Sequence, residues 1–118
     1  MSSTEPTSDA GRDAAEVTRV DRLTPDQITE VLALARAAGD ADGADPLDEH
    51  TLLRLRDPDA PAVHLTARTP DGTLAGYAHL DTTAPGDGVG VELVVHPAYR
   101  RRGTGRALAR AVLAAATG

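Results

Sequence analysis

Late in the chain an apolar run, Val89 to His96, gives way to an arginine- and glycine-rich bend and then to a helical pattern. Val89, Val91, Leu93, Val94 and Val95 carry the run, and so many branched aliphatic residues in so short a stretch read as a strand buried on both faces. After His96-Pro97 the bend is Arg100-Arg101-Arg102-Gly103-Thr104-Gly105-Arg106. A helix is expected over about Thr104 to Ala116, with Leu108, Ala111, Val112 and Ala115 on its buried stripe. A strand leading into a helix calls for a sheet with a helix packed on its face. As the most apolar strand, it is expected at the centre of that sheet.

The preceding residues supply the partners. Met1 to Ala15 lacks periodicity and reads as a disordered tail. Glu16 to Leu23 reads as a first strand, with Val17 and Val20 as its apolar members. Thr24-Pro25-Asp26-Gln27 is a helix start: Thr24 caps, Pro25 suits the first turn, and Gln27 completes a capping box. Ile28, Val31, Leu32 and Ala35 form one stripe, and Gly39 is expected to end the helix. A loop to Pro46 follows. Asp48 then caps a short helix, Glu49 to Arg56, with Leu52, Leu53 and Leu55 facing inward. Asp57 to Pro61 stops it. Val63, Leu65 and Ala67 alternate with His64, Thr66 and Arg68 as in a strand, and Pro70-Asp71-Gly72 turns the chain into a returning strand, Leu74 to Leu80. Ala84 to Gly88 connects to the apolar run. The order is β-α-α-β-β-β-α, an α/β fold without internal repeats.

Composition narrows the possibilities. There is no cysteine among the 118 residues, which excludes disulfide scaffolds, thiolate metal sites and cysteine nucleophiles. His50, His64 and His79 lack the spacing of metal ligands, so no metal is expected. Leu, Ile and Val together number only 23, with no Phe or Trp. That is just under the ~20% level below which a chain struggles to bury a core. The helix that leaves the last strand would ordinarily cross over to another parallel strand. Together these observations predict part of a larger domain, with residues 16–118 as its N-terminal portion. No apolar run approaches the roughly 18 residues that span a bilayer, and the first residues do not resemble a signal peptide. A cytoplasmic protein is the expectation.

Charge is unevenly distributed. The net charge is −6, and all 12 basic residues are arginine. Residues 93–118 hold five arginines and no acid, whereas all 18 acids lie earlier. An acidic chain with one cationic segment suggests a local anion site and argues against nucleic-acid binding. At a helix start the first backbone N–H groups lack partners and the helix dipole adds positive potential. Gly103 and Gly105 let a phosphate approach those amides closely, and the guanidinium groups add charge-assisted hydrogen bonds. The lysine-bearing phosphate-binding loop is absent, and Ala107 and Leu108 stand where a dinucleotide-binding motif needs its last glycine.

Arg100-x-x-Gly103-x-Gly105, between an apolar strand and a helix, resembles the acetyl-CoA signature of the GNAT N-acetyltransferases. The element order resembles the first part of that fold. Within the family, Glu92-Leu93-Val94-Val95-His96-Pro97 with Arg100 to Gly103, and Ala41-Asp42-Gly43 through Pro46 to Glu49, resemble the first of two repeats of the mycothiol synthases of actinobacteria.

This resemblance implies an acetyl-CoA-dependent transfer to a primary amine, without a covalent enzyme intermediate. Leu93, Val94 and Val95 match the strand that runs beside the pantetheine arm, and the amide of Val94 or Leu93 matches the group that polarises the thioester. Arg101, Arg102, Gly103, Thr104, Gly105 and Arg106 match the pyrophosphate loop. Glu92 matches a strand position that often carries a general base, and His96 shares its face. Glu49 matches an acid that meets the acceptor, which for the mycothiol synthases is desacetyl-mycothiol, a cysteinyl-glucosaminyl-inositol. Tyr77 and Tyr99 read as packing residues. The resemblance also implies a monomeric parent and little activity from this portion alone. The alternatives are another GNAT acetyltransferase with a different amine, or a non-catalytic acyl-CoA-binding module.

Overall fold

The computed structural model describes residues 15–57, 62–81 and 90–117. An antiparallel sheet in the order β1-β2-β3-β4 is made by β1 (Glu16–Val20), β2 (Ala62–Arg68), β3 (Leu74–Asp81) and β4 (Gly90–Val95). Helices α1 (Pro25–Asp42) and α2 (Glu49–Leu55) come between β1 and β2, and α3 (Thr104–Thr117) follows β4 after a short 3₁₀ turn, Pro97–Tyr99. The expected α/β order is thus the observed one. The N-terminal tail up to residue 14, the stop at 58–61, the connection at 84–88 and Val89 lie outside the described residues.

Side chains alternate across the sheet and create two cores. On one face Tyr77 and Val94 pack with Leu23, Val31, Leu34, Leu47 and Leu55, beneath α1 and α2. On the other, Val63, Leu65, Ala67, Ala78 and Leu80 pack against Leu108, with Leu93, Val95, Ala111, Val112 and Ala115 at the margin. The closest approach is at Gly76. A Cβ there would lie 2.7 Å from Leu108 Cδ1 and 3.2 Å from the Val94 carbonyl oxygen, so the absence of a side chain lets α3 lie directly on β3.

The Thr24–Gln27 capping box forms: Gln27 N donates to Thr24 Oγ1 (3.1 Å) and Thr24 N to Gln27 Oε1 (2.8 Å). Four expectations are corrected. β1 ends at Val20, and Leu23 is buried as the chain turns into α1. Gly39 does not end α1. The helix continues to Asp42, and Gly43, at φ 76°, caps it by donating to the Gly39 carbonyl (2.8 Å). Gly39 instead makes room for the returning loop, since a Cβ there would sit 3.2 Å from Asp45 Oδ1. Leu53 points outward, 61% exposed, because Thr51 and Leu55, one turn apart, take the inner face of α2. Finally, β4 lies at the edge of the sheet, paired with β3 alone among the described residues. In a meander the last strand falls at the edge, and β2 and β3 are the strands buried on both faces.

Candidate functional site

The register of β4 determines which of its backbone groups are free. His96 N donates to the Ala75 carbonyl (2.8 Å), and Tyr77 stands opposite Val94. Bonding and non-bonding pairs alternate along an antiparallel ladder, so Val94 turns its amide and carbonyl toward β3, and Leu93 and Val95 turn theirs to the open edge. The Val95 carbonyl accordingly accepts from Arg100 Nε (3.3 Å). Of the two amides considered for the thioester carbonyl, that of Leu93 faces outward and that of Val94 does not.

The arginine–glycine bend lies beside this edge. A Cβ on Gly105 would stand 3.6 Å from Val95 Cγ2, so the start of α3 abuts β4. Arg101 (φ 66°) and Gly103 (φ 85°) both adopt the left-handed conformation, which glycine accepts freely and arginine only at a cost. The first ladder bond of α3 runs from Ala107 N to the Gly103 carbonyl (2.9 Å). The amides of Thr104, Gly105 and Arg106 precede that ladder, and among the described residues no side chain caps them. Arg101, Gly103, Gly105 and Arg106 line an open depression of about 410 Å³. Arg102 lies over the Tyr99 ring (5.8 Å), which meets His96 edge-on (5.7 Å).

Two residues of the motif point elsewhere. Arg100 makes a two-pronged ion pair with Asp42 (2.7 and 2.8 Å), which fixes the bend to the end of α1. Thr104 is 2% exposed, and its side chain packs toward the sheet with Oγ1 buried and unpartnered, so at the bend it offers only its amide.

A second polar group occupies the α1–α2 face of the sheet. Glu92 receives the Asp48 amide on both carboxylate oxygens (3.1 and 3.4 Å) and so anchors the start of α2. Asp48 Oδ1 accepts from Thr51 N (2.8 Å) as the helix cap. The two carboxyl groups are neighbours: burial and the Asp48 side chain push the Glu92 carboxyl up, while the Thr51 amide holds that of Asp48 below the usual range. Glu49 stands exposed in the first turn of α2. Also from α2, His50 in the first turn and Arg54 one turn on both face Asp81, each 3.6 Å away. His96 shares the face of Glu92 and Val94, but its Nδ1 accepts from Ala98 N (3.0 Å) and caps the 3₁₀ turn.

Deeper in this face lie residues that sequence reasoning passed over. His64, 6% exposed, exchanges a 2.7 Å hydrogen bond with the Tyr77 hydroxyl, so Tyr77 does more than pack. His79, 2% exposed, lies edge-on to His64 (5.5 Å) with Nε2 buried and unpartnered. The apolar–polar alternation of β2 marks it only as a strand, and nothing local to His64 or His79 shows that α1 and α2 cover their face.

The family model described as the acetyltransferase (GNAT) family matches residues 27–118. The chain belongs to the GNAT acetyltransferase family. Among curated relatives of this GNAT chain, the mycothiol acetyltransferases of Salinispora tropica and Salinispora arenicola are 72% and 70% identical over all 118 residues. The chain spans 36% of the length of each. That of Thermomonospora curvata is 51% identical over 98 residues. A GCN5-related N-acetyltransferase from Sphaerobacter thermophilus superposes with a TM-score of 0.59 at 25% identity, covering 80% of this chain and 30% of that one. A GNAT-family acetyltransferase from Staphylococcus aureus shares the fold (TM-score 0.67, 11% identity), covering 86% of this chain and 66% of that one. Among the described residues no helix is long and apolar enough to cross a membrane.

Proposed function

We propose that this chain is the coenzyme-binding part of a cytoplasmic, monomeric N-acetyltransferase that moves an acetyl group from acetyl-CoA to a primary amine. The acceptor in this reading is the cysteinyl amine of desacetyl-mycothiol. The observation that carries it is the adjacency of an uncapped helix start, the exposed Arg101, Arg102 and Arg106, and an open β-edge. The pyrophosphate would lie on the amides of Gly103, Thr104, Gly105 and Arg106, with Arg101, Arg102 and Arg106 supplying charge. The pantetheine arm, with its alternating amides, suits the outward amide and carbonyl of Leu93 and the outward amide of Val95, whose carbonyl Arg100 holds, while Val94 supplies the packed floor. Acetyl-CoA brings the activated thioester. The residues contribute binding, orientation and, at the Leu93 amide, a donor toward the carbonyl oxygen on which negative charge develops.

On the opposite side of β4, Glu92 is the group that would take the proton from the attacking amine, and Glu49 a polar contact for the acceptor. The raised carboxyl of Glu92 moves it toward the range where a general base works near neutrality. The mycothiol acceptor rests on the identity with the Salinispora enzymes across the whole of this chain.

Calorimetric titration of the chain with CoA and acetyl-CoA tests the reading. Saturable binding that is weakened by Arg106→Ala and by added salt is expected, with little turnover because the chain spans about a third of its relatives. Equal affinity for a short DNA duplex, or no binding of CoA at all, would refute it.

A further inference from the structure

Two neighbouring arginines of the bend are directed to different places. Arg101 lines the depression together with Gly103, Gly105 and Arg106. Arg102 is not part of that lining, and its guanidinium carbon lies 5.8 Å from the centre of the Tyr99 ring. That is within reach of a cation–π contact. The parting falls at Arg101, whose left-handed backbone (φ 66°) follows the extended Arg100.

Tyr99 is a fixed platform for this contact. Its amide donates to the His96 carbonyl (2.9 Å), and its half-buried ring meets the His96 ring edge-on (5.7 Å). The His96 ring is itself held, because its Nδ1 accepts from Ala98 N (3.0 Å). On the other side of Tyr99, Arg100 is tied to Asp42. The chain has two tyrosines and no Phe or Trp, and one of the two stands under an arginine of the bend. A guanidinium on an aromatic face keeps its in-plane N–H donors for an anion.

The place of this pair is what gives it a ligand. With a diphosphate in the depression, the pantetheine arm runs back along β4 from Val95 toward Leu93. The nucleotide end then leaves on the other side, past the end of β4, where the 3₁₀ turn carries Tyr99. Coenzyme A bears its third phosphate on that end, a monoester at the ribose 3′ position with about −1.5 to −2 charges near neutrality. The ribose separates this group from the diphosphate, as Arg102 is separate from the lining of the depression. A phosphate monoester suits the two-pronged donor set of a guanidinium.

We infer that Arg102 pairs with the 3′-phosphate and selects coenzyme A over its 3′-dephosphorylated form, and that Tyr99 is the positioning residue that holds Arg102 for this contact. This rests on the reading of the bend as the diphosphate site, and it narrows Arg102 from one charge among three to the partner of one phosphate.

The test is calorimetric titration of the 118-residue chain with CoA and with 3′-dephospho-CoA at one ionic strength. The parent chain should prefer CoA by about tenfold. Arg102→Ala should abolish the preference while leaving the affinity for dephospho-CoA unchanged. Arg101→Ala should weaken both ligands and leave the preference intact. Tyr99→Leu should reduce the preference by about two- to fivefold, and Tyr99→Phe, which keeps the ring, should restore it. A purely structural role for Tyr99 would weaken both ligands alike. Equal affinity of the parent for the two ligands overturns the inference, as does a preference that survives Arg102→Ala or vanishes in Arg101→Ala. Equal losses of both ligands in Tyr99→Leu overturn the role of Tyr99. These failures leave the diphosphate site standing, whereas a chain that binds neither ligand refutes that site and this inference with it.

Discussion

Arg100 and Asp42, 58 positions apart in sequence, close a bidentate ion pair that fastens the arginine–glycine bend to the C-terminus of α1. Arg100 therefore acts on any bound diphosphate from a distance, by holding the bend against β4. The pair is solvent-exposed, so it adds little to global stability. Asp42→Asn and Arg100→Gln should each weaken CoA binding severalfold while barely moving the thermal midpoint, and the double variant should lose no more than either single one. Additive losses would mean that Arg100 contacts the coenzyme directly. The Arg100 guanidinium holds the Asp42 carboxyl below its ordinary value. The tie is thus complete above the usual carboxylate range and is lost only as pH falls through the depressed value.

Gly76 is the position where α3 comes closest to the sheet. Gly76→Ala would drive a methyl group to 2.7 Å from the buried Leu108 and 3.2 Å from a backbone oxygen. Overpacking of this kind costs about 1–3 kcal/mol. Leu108 is fully buried, and Leu108→Ala should cost about 2–5 kcal/mol by leaving a cavity. Urea denaturation of both variants checks these values. Because α3 carries the uncapped amides, each variant should also weaken CoA binding by more than its stability loss alone accounts for.

What the sequence revealed was mostly local. The Thr24 box, the Asp48 cap, the Asp71-Gly72 turn and the Arg–Gly bend each declare themselves within a few residues, and all four stand where expected. What it did not reveal depended on distant partners. Gly39 carries the signature of a helix end, but the loop at Ala44 and Asp45 needs that gap, and Gly43 supplies the left-handed stop. Arg100 looks identical to Arg101 and Arg102 until Asp42 arrives from another helix. His64, His79 and Glu92 stand opposite one another across β2, β3 and β4 only once two strand registers are fixed, and no spacing along the chain encodes that.

Glu92 should trade stability for function. Its carboxyl is pushed up in the folded state, chiefly by burial and by Asp48, so the folded chain favours the protonated form. The stability that this preference confers is present below the ordinary value of 4.5 and is lost as pH rises through the folded value. At pH 7 the ionised side chain is therefore a net burden. Glu92→Gln keeps an acceptor for the Asp48 amide and removes the charge, so it should raise the thermal midpoint at pH 7 and lose that advantage near pH 3. In a full-length enzyme where this strand performs the transfer, the same change should lower kcat far more than it changes KM. A Glu92→Gln variant less stable than the parent at pH 7 would show that the charge is welcome where it stands.

Acid should weaken the fold through His64. Burial, with a smaller contribution from His79, pushes the His64 imidazole down to about 4 from an ordinary 6.5. Between those values the unfolded chain takes up a proton that the folded chain refuses, so stability falls as pH drops from about 6.5 and this component levels off near 4. His79, also held down by burial, adds a second component of the same sign. His64→Gln retains a partner for the Tyr77 hydroxyl but cannot titrate. Urea denaturation from pH 7 to 4 should therefore give a shallower decline for His64→Gln than for the parent chain, and the two curves should diverge most at the acidic end. Parallel curves would mean that His64 takes up a proton as readily in the fold as in the unfolded chain.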